Sequence, residues 1–546
     1  MNGKRGLVQG IIEAGAEVVT GYPGSPITGV EEGLQGSGEI DHVEWSANEK
    51  QAVALAYGAS LGGSRAVVLM KHVGVNVASD AIVGTAINGV NGGLLFLFGD
   101  DPGGEASQNE QDSRNYAHLF NIPIFEPSSP SQAVNMIKLG FELSEIFKLP
   151  VGIRYVKDFL HIEEKFAAPS LVEDIQLPEF SPDFPKEIPL PLNAPKKNRV
   201  LQDKIDGLRA YLDTLPFNEC SDVRSPGTGT DEVETKVGLV SCGSILRKLN
   251  AFSLTEEIPS IHCRVGVVHP FLGDRLAHGL DDLEKVIVLE EGSPYIEREL
   301  HRMISPGPNS VEVRGKLSGD LPRQGKLSAE DVRGACAKLE GEDPASAVDK
   351  RNFPPDKERA KWQQVEGCPV ERVHGQLRKA LDLVEEEVRV IGDTGCTGWG
   401  HVEPYRTVDN FLCMGTSAAV ASGVAASGSE ERAVAMMGDS SFFHSGIQSL
   451  LNAKYNGHEL TFIIVDNGVT GETGGQVNPG SGVNALGKEV EGISVEGFVK
   501  ASGVSDFKVL DLEKGDPIFK TVARFIAAKE LNVLILKGKC PASCFQ

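Results

Sequence analysis

Short apolar runs separated by helical stretches dominate this chain and restrict it to a small set of folds. Val18–Thr20, Ala66–Met70, Leu94–Phe98, Pro123–Phe125 and Val151–Tyr155 are each too short for a buried helix and too apolar for an exposed strand. Strands of that kind are buried on both faces, which requires parallel pairing with helices on either side. Between them, Asn48–Leu61 lacks proline, is rich in Ala and Leu and stops at Gly62-Gly63, the pattern of a helix with a C-terminal stop. The fold class is therefore α/β.

The same rhythm returns twice. A middle set comprises Val237–Ser241, Arg264–Val268 and Val286–Leu289, and a third comprises Val388–Ile391, Ala433–Met437, Leu460–Val465 and Val533–Leu536. Helices are expected at Ser417–Ala426 and Gly446–Asn456. Five prolines in Phe180–Pro195 and the polar stretch Ser221–Thr235 mark a connector with one helix near Leu201–Leu215. The expected division is 1–168, a connector 169–235, a middle domain 236–340, a linker 341–361 and a last domain 362–546. A chain of 546 residues exceeds what one core supports.

Charge and composition exclude several functions. Lys and Arg number 53 against 76 Asp and Glu, a formal charge of −23 that repels nucleic-acid phosphates. The N-terminal apolar stretch is broken by Gln9, Gly10 and Glu13, so it fails as a signal peptide, and no run is long enough to span a membrane. A cytoplasmic setting is expected. There the nine cysteines are read as thiols, metal ligands or cluster ligands rather than disulfides.

Two strand ends in the last domain carry the chemistry. Met436-Met437-Gly438-Asp439 closes one buried strand and Ile464-Val465-Asp466-Asn467 closes another, and ligands of open α/β sheets bind at such ends. Gly438 lets a phosphate approach, while the N–H groups of Ser440 and Ser441 at the start of a helix receive negative charge. Asp439, the side chain of Asn467 and the carbonyl of Val469 offer hard oxygen ligands for Mg²⁺. Either half alone is a common α/β feature. Their separation is informative, because Gly438 through Asn467 spans 30 residues and resembles the thiamine-diphosphate motif of Gly-Asp followed by a terminal Asn.

Further stretches widen that likeness. Gly21–Pro26, Glu44–Lys50, Lys71–Asp80, Ser107–Arg114, Leu289–Glu291, Gly392–Cys396, Cys413–Gly415, Gly438–Ile447 and Thr473–Gln476 together resemble the large subunit of indolepyruvate ferredoxin oxidoreductases. The resemblance implies a thiamine-diphosphate-binding fold: two doubly wound parallel-sheet domains and a middle domain like the transketolase C-terminal domain. It implies that the first domain takes the aminopyrimidine and the last takes the diphosphate, with Gly395 and Gly415 lining the cofactor. Glu49 would then contact a pyrimidine nitrogen and promote the tautomer that deprotonates the thiazolium carbon, unless it merely pairs with Lys50 or caps its helix. Arg114 and Ser25 would meet the 2-oxoacid, and Glu472 stands where pyruvate-type relatives carry Asn. His72 and His444 lie in shared motifs without an assigned role.

The implied reaction is oxidative decarboxylation of a 2-oxoacid, with an arylpyruvate as the family-based substrate, to an acyl-coenzyme A. Electrons would pass to ferredoxin or a cluster-bearing subunit, and a small second subunit and dimerisation are expected. Cys368, Cys396 and Cys540 match ligands of a [4Fe-4S] cluster in relatives, and Val365 stands at the fourth position. Cys544 offers a substitute, so a complete cluster, a three-ligand cluster and plain thiols all stay open. No Cys-x-x-Cys-x-x-Cys run follows, so the ferredoxin domain of the large subunit is absent from this sequence. A non-oxidative decarboxylase or carboligase is the alternative outcome, and a non-catalytic scaffold is a third.

Overall fold

The computed structural model describes residues 1–40, 42–165, 194–222, 237–245, 247–248, 261–280, 283–304, 311–339, 366–427, 430–514 and 518–541. Most of the proline-rich connector, the 341–361 linker, Val365 and Cys544 lie outside them. The chain divides into two compact units, Met1–Lys350 and Arg351–Gln546.

The first unit holds two sheets. Its larger sheet contains β1 (Val18–Gly21), β2 (His42–Trp45), β3 (Ala66–Lys71), β4 (Leu94–Asp100), β5 (Ile124–Phe125) and β6 (Val151–Val156). The smaller contains β7 (Asn218–Asp222), β8 (Val237–Cys242), β9 (Ile261–Val265), β11 (Lys285–Leu289) and β12 (Glu312–Arg314). Between β9 and β11, strand β10 (Val267–His269) leaves the smaller sheet and pairs antiparallel with β5, giving the order β10-β5-β6-β4-β3-β1-β2. The remaining pairs of the larger sheet are parallel. Every residue of β4 and β6 is buried, as the unbroken apolar runs demand. Helices Glu49–Leu61 and His72–Asn88 contribute to the core on one face of this sheet, and Gly3–Glu13 and Pro130–Phe147 to the core on the other.

The strands read from the sequence are present except that the one expected at Arg264–Val268 is divided between β9 and β10, and β2, β7 and β12 are additional. β2 alternates in burial and has only Val43 fully inside, so its apolar signal is weak. β10 is three residues long and is defined by its pairing rather than its composition. The connector helix begins earlier than expected and spans Ala194–Leu212. Among the described residues no helix is long and apolar enough to cross a membrane.

Charges tie the two sheets of this unit together. Arg154, on β6, sits 2.9 Å from Asp100 at the end of β4 and 2.5 Å from Glu126 just beyond β5. Arg114 pairs with Asp112 at 2.6 Å and with Glu290, which follows β11, at 2.8 Å. Arg114 also donates to the carbonyls of Glu291 (2.8 Å) and Ser293 (3.0 Å). All six side chains are buried. Burial raises the pKa of Asp100 and Glu290 despite the neighbouring guanidiniums. For Asp112 burial also pulls upward, but Arg114 and Arg154 outweigh it and hold the carboxylate well below its usual range.

One cysteine expectation is corrected. Cys220 and Cys263 form a disulfide rather than remaining thiols. They are register partners on the antiparallel strands β7 and β9, with Cα atoms 3.9 Å apart, so pairing brings the sulfurs together whatever the spacing in sequence. Cys242 and Cys413 are free thiols.

The second unit is a single parallel sheet in the order β13-β14-β15-β17-β16. Its strands are β13 (Val388–Ile391), β14 (Arg432–Gly438), β15 (Thr461–Asp466), β16 (Asp506–Asp511) and β17 (Asn532–Lys537). The two strands that carry the acidic ends, β14 and β15, are neighbours, with Gly438 opposite Val465. Edge strand β16 has no buried residue, which hides it from an apolar-run search.

The ion network generates a stability prediction. Arg154→Met should cost about 3–5 kcal/mol, because Asp100 and Glu126 are left buried without their cation. Chemical denaturation of the first unit's transition measures it.

Candidate active site

In the second unit β14 and β15 deliver Asp439 and Asn467 to the same edge of the sheet. Asp439 opens a short helical turn, Asp439–Ser441, followed by a π turn at Phe442–Gly446 and the helix Ile447–Asn456. Single π turns inside helices recur at functional sites. The carboxylate of Asp439 accepts from its neighbour Ser440 N at 2.8 Å and from Gly468 N at 2.8 Å, so it staples the two strand ends together. Burial pushes its pKa up to about 7, and the nearby charge of Asp466 adds to that, against hydrogen bonds from Asn478, Gly468 and Ser440. A divalent cation at this position would relieve that penalty.

Space is available beside the carboxylate. A Cβ added to Gly438 or to Gly468 would meet no protein atom within 4 Å. Gly438 has an ordinary φ of −78°, so its lack of a side chain answers no backbone strain. Asn467 is turned inward at present, its Oδ1 accepting from Val469 N at 3.2 Å, which forms an Asx turn with Gly468 at φ 77°. The donor set of two oxygen-bearing side chains, a carbonyl and an open approach over glycine fits a hard cation carrying a diphosphate.

Asp393 is a residue that motif reading passed over. It follows β13 as Asp439 follows β14, is fully buried, and accepts from Gly415 N at 2.8 Å and Ser417 N at 3.1 Å. Burial raises its pKa to about 6. Ser441 Oγ donates to the Thr394 carbonyl at 3.2 Å, Ser445 Oγ to Met414 at 2.9 Å and Ser449 Oγ to Gly415 at 2.8 Å. Loops 393–396 and 413–417 and the π turn are thereby fastened to one another. A side chain on Gly415, at φ 78°, would overlap Ser445 Oγ. The signal available in the sequence was the repeated Gly-Asp after an apolar strand, Gly392-Asp393 and Gly438-Asp439.

Glu472 Oε2 lies 3.8 Å from where a Cβ of Gly395 would stand, so this carboxylate borders the same loop cluster. Behind it, a Cβ on Gly471 would lie 3.3 Å from Cys396 Sγ and 3.9 Å from Cys540 Sγ, which makes the two thiols neighbours. Cys368 and Cys396 both pack against one apolar core of this unit. Among the described residues no three His, Cys, Asp or Glu side chains gather so as to hold a metal ion. His444 is buried, with Nδ1 3.0 Å from Ser445 Oγ.

In the first unit Glu49 begins the helix Glu49–Leu61. The helix cap is Asn48, whose side chain accepts from Gln51 N at 3.0 Å, and Lys50 reaches Asp80 at 3.4 Å. Glu49 is 5 % exposed, and its carboxyl packs on Gly74, where a side chain would overlap Oε1, Cγ and Cδ. Ser25 is half-buried in the loop after β1.

Arg114 is fully buried, and its guanidinium pairs with Asp112 and Glu290 and donates to two backbone carbonyls. The sequence motif could not reveal this, because Glu290 lies 176 residues away in sequence.

The chain is similar to known proteins. Residues 393–535 match the family model described as thiamine pyrophosphate enzyme, C-terminal TPP binding domain. Indolepyruvate oxidoreductase subunit IorA of Methanothermobacter thermautotrophicus is 33% identical over 99% of this chain and 86% of its own length. The subunit IorA of Methanothermobacter marburgensis is 31% identical over 99% of this chain and 86% of its own. Among solved structures, a 2-oxoglutarate:ferredoxin oxidoreductase from Magnetococcus marinus aligns with a TM-score of 0.46 at 18% identity, covering 62% of this chain and 64% of that one.

Because Gly438 faces open space, Gly438→Ala should leave the melting temperature within about 2 °C of wild type. The same change should weaken binding of thiamine diphosphate with Mg²⁺ by roughly tenfold or more, since a methyl group then occupies the phosphate approach. Calorimetric titration of cofactor checks the second half, differential scanning the first.

Proposed function

This chain belongs to the family of indolepyruvate oxidoreductase subunit IorA, and from that premise we propose that it oxidatively decarboxylates an arylpyruvate to an acyl-coenzyme A. It is a thiamine-diphosphate-dependent 2-oxoacid oxidoreductase, and the arylpyruvate, coenzyme A and ferredoxin are the parts we propose. The observation that carries the reading is the Asp439 staple, which joins two strand ends beside an open glycine approach.

Thiamine diphosphate, when bound, supplies a carbon nucleophile and an electron sink for decarboxylation. Asp439, the Asn467 side chain and the Val469 carbonyl would hold Mg²⁺, Asn467 by releasing its Asx turn. Gly395, Gly415, Gly438, Ser440 and Ser441 would present the backbone that takes the diphosphate. Asp393 positions Gly415 and Ser417 for this by holding their N–H groups. Glu49, buried against Gly74 with capping already done by Asn48, would share a proton with the pyrimidine. A dry setting strengthens such a hydrogen bond. Ser25 would meet the substrate, and Glu472 would place a carboxyl beside the cofactor loop at Gly395.

Electrons would leave by a ferredoxin or a cluster-bearing subunit, with a small second subunit and dimerisation completing the enzyme. Cys396 and Cys540, adjacent at Gly471, are the thiols we propose for a [4Fe-4S] cluster, with Cys368 and Cys544 as the further ligands. Val365 at the position of a fourth cluster cysteine favours, as the second reading, a non-oxidative decarboxylase or carboligase.

Anaerobically purified protein should contain iron and reduce viologen dye only when both a 2-oxoacid and coenzyme A are present. Colourless protein that releases aldehyde or acyloin would establish the second reading instead. Glu49→Gln should leave cofactor affinity within about threefold of wild type but slow hydrogen–deuterium exchange at the thiazolium carbon by about 100-fold or more. Unchanged exchange would remove Glu49 from proton transfer.

A further inference from the structure

The proposed reaction needs a receptor for the carboxylate of its 2-oxoacid, and the topology of the first unit indicates a place for one. Strands β1 and β3 are neighbours, but β1 connects outward to β2 on one side and β3 connects to β4 on the other. Ligands of open α/β sheets bind in the crevice at the carboxyl ends of the strands flanking such a reversal. Three side chains stand around this crevice: Ser25 in the loop after β1, Glu49 after β2, and Lys71 as the last residue of β3.

Lys71 is half-buried, and its stem lines the same loop that carries Ser25. A Cβ added to Gly24 would lie 3.3 Å from Lys71 Cδ and 3.6 Å from its Cβ. Its ammonium donates to the carbonyl of Ala106 at 2.5 Å, an exposed hydrogen bond that ties the end of β3 to the loop after β4. Ala106 is itself fixed, since its N–H donates to Asp101 Oδ2 at 2.7 Å, an oxygen that also accepts from Ser107 Oγ at 2.7 Å. Four residues link Lys71 to Gly74, the residue on which the carboxyl of Glu49 packs. The strand-to-helix joint 71–74 therefore carries a cation at one end and the proposed proton-sharing acid at the other. His72, between them, is fully buried and stays neutral, because desolvation lowers its pKa more than Asp100 raises it, and Lys71 lowers it further.

We propose that Lys71 receives the carboxylate of the 2-oxoacid in this crevice, with Ser25 beside it and Glu49 across the joint. The proposal rests on the function given above. An ammonium carries three donors on a compact charge, so the bond to Ala106 alone does not exhaust Lys71.

The test compares Lys71→Met and Lys71→Arg with wild type in the cofactor-loaded enzyme. Lys71→Met should raise KM for an arylpyruvate by about 10- to 100-fold, the cost of one charged hydrogen bond, with kcat within a few-fold. Lys71→Arg should recover most of that loss. Affinity for thiamine diphosphate should stay within about twofold, and inhibition by the matching aldehyde, which has no carboxylate, should not change. Binding of the 2-oxoacid to cofactor-free protein is titrated calorimetrically in parallel. Equal KM and equal 2-oxoacid affinity in wild type and Lys71→Met overturn the proposal. Capture of the anion that depends on Lys71, without any turnover by wild type, overturns the functional reading and leaves this one standing.

Discussion

Two guanidinium groups buried among four carboxylates hold the first unit together. Arg114 and Arg154 reach Asp100, Asp112, Glu126 and Glu290, which come from both of its sheets, and water reaches almost none of these atoms. Desolvating so many charges is costly, and the ion pairs offset that cost only because each cation meets more than one anion at hydrogen-bonding distance. Burial pulls Asp100 and Glu290 upward in pKa against the guanidiniums, while Arg114 and Arg154 hold Asp112 below its usual range. The arrangement fixes where β4, β6 and β11 end, and the ends of parallel strands are where this fold places chemistry.

The second unit solves a related problem with single carboxylates. Asp393 and Asp439 each follow a strand; Asp393 spends both oxygens on backbone N–H groups of another loop, and Asp439 one on Gly468 and the other on its own neighbour Ser440. Both are pushed upward in pKa by burial, to about 6 and about 7. They differ in what lies beside them. Asp393 is enclosed by the start of the helix Ser417–Ala426, whereas Asp439 borders the open space over Gly438 and Gly468. One acid organises the backbone and the other borders open space.

Much of this was legible in the sequence, because buried parallel strands and strand-end Gly-Asp pairs are local patterns. The sheets, the helix after Asn48 and the acidic edge of β14 and β15 follow from runs of a few residues. What stayed hidden depends on partners far along the chain. Arg114 pairs with Glu290 from far along the chain, and Cys220 looks like a thiol until an antiparallel register sets it against Cys263. Asp393 was visible as a letter but not as an anchor, since its worth lies in the N–H groups of Gly415 and Ser417. Lys71 became informative only once the strand order located the reversal between β1 and β3.

Strand β10 has a consequence for how the protein is made. The larger sheet of the first unit begins with β1 at Val18, but its edge at β5 is capped by Val267–His269, which leave the ribosome far later. Throughout that interval the two-residue strand β5 presents bare hydrogen-bonding groups, the kind of edge on which a second nascent chain can add. Its brevity limits the hazard, and Asn218 guides the late closure, its side chain accepting from the N–H groups of Gly266 and Val267 and donating to the Val267 carbonyl. The order of synthesis thus makes completion of the N-terminal sheet wait for the middle of the chain, so that the two sheets of this unit mature as one cooperative body.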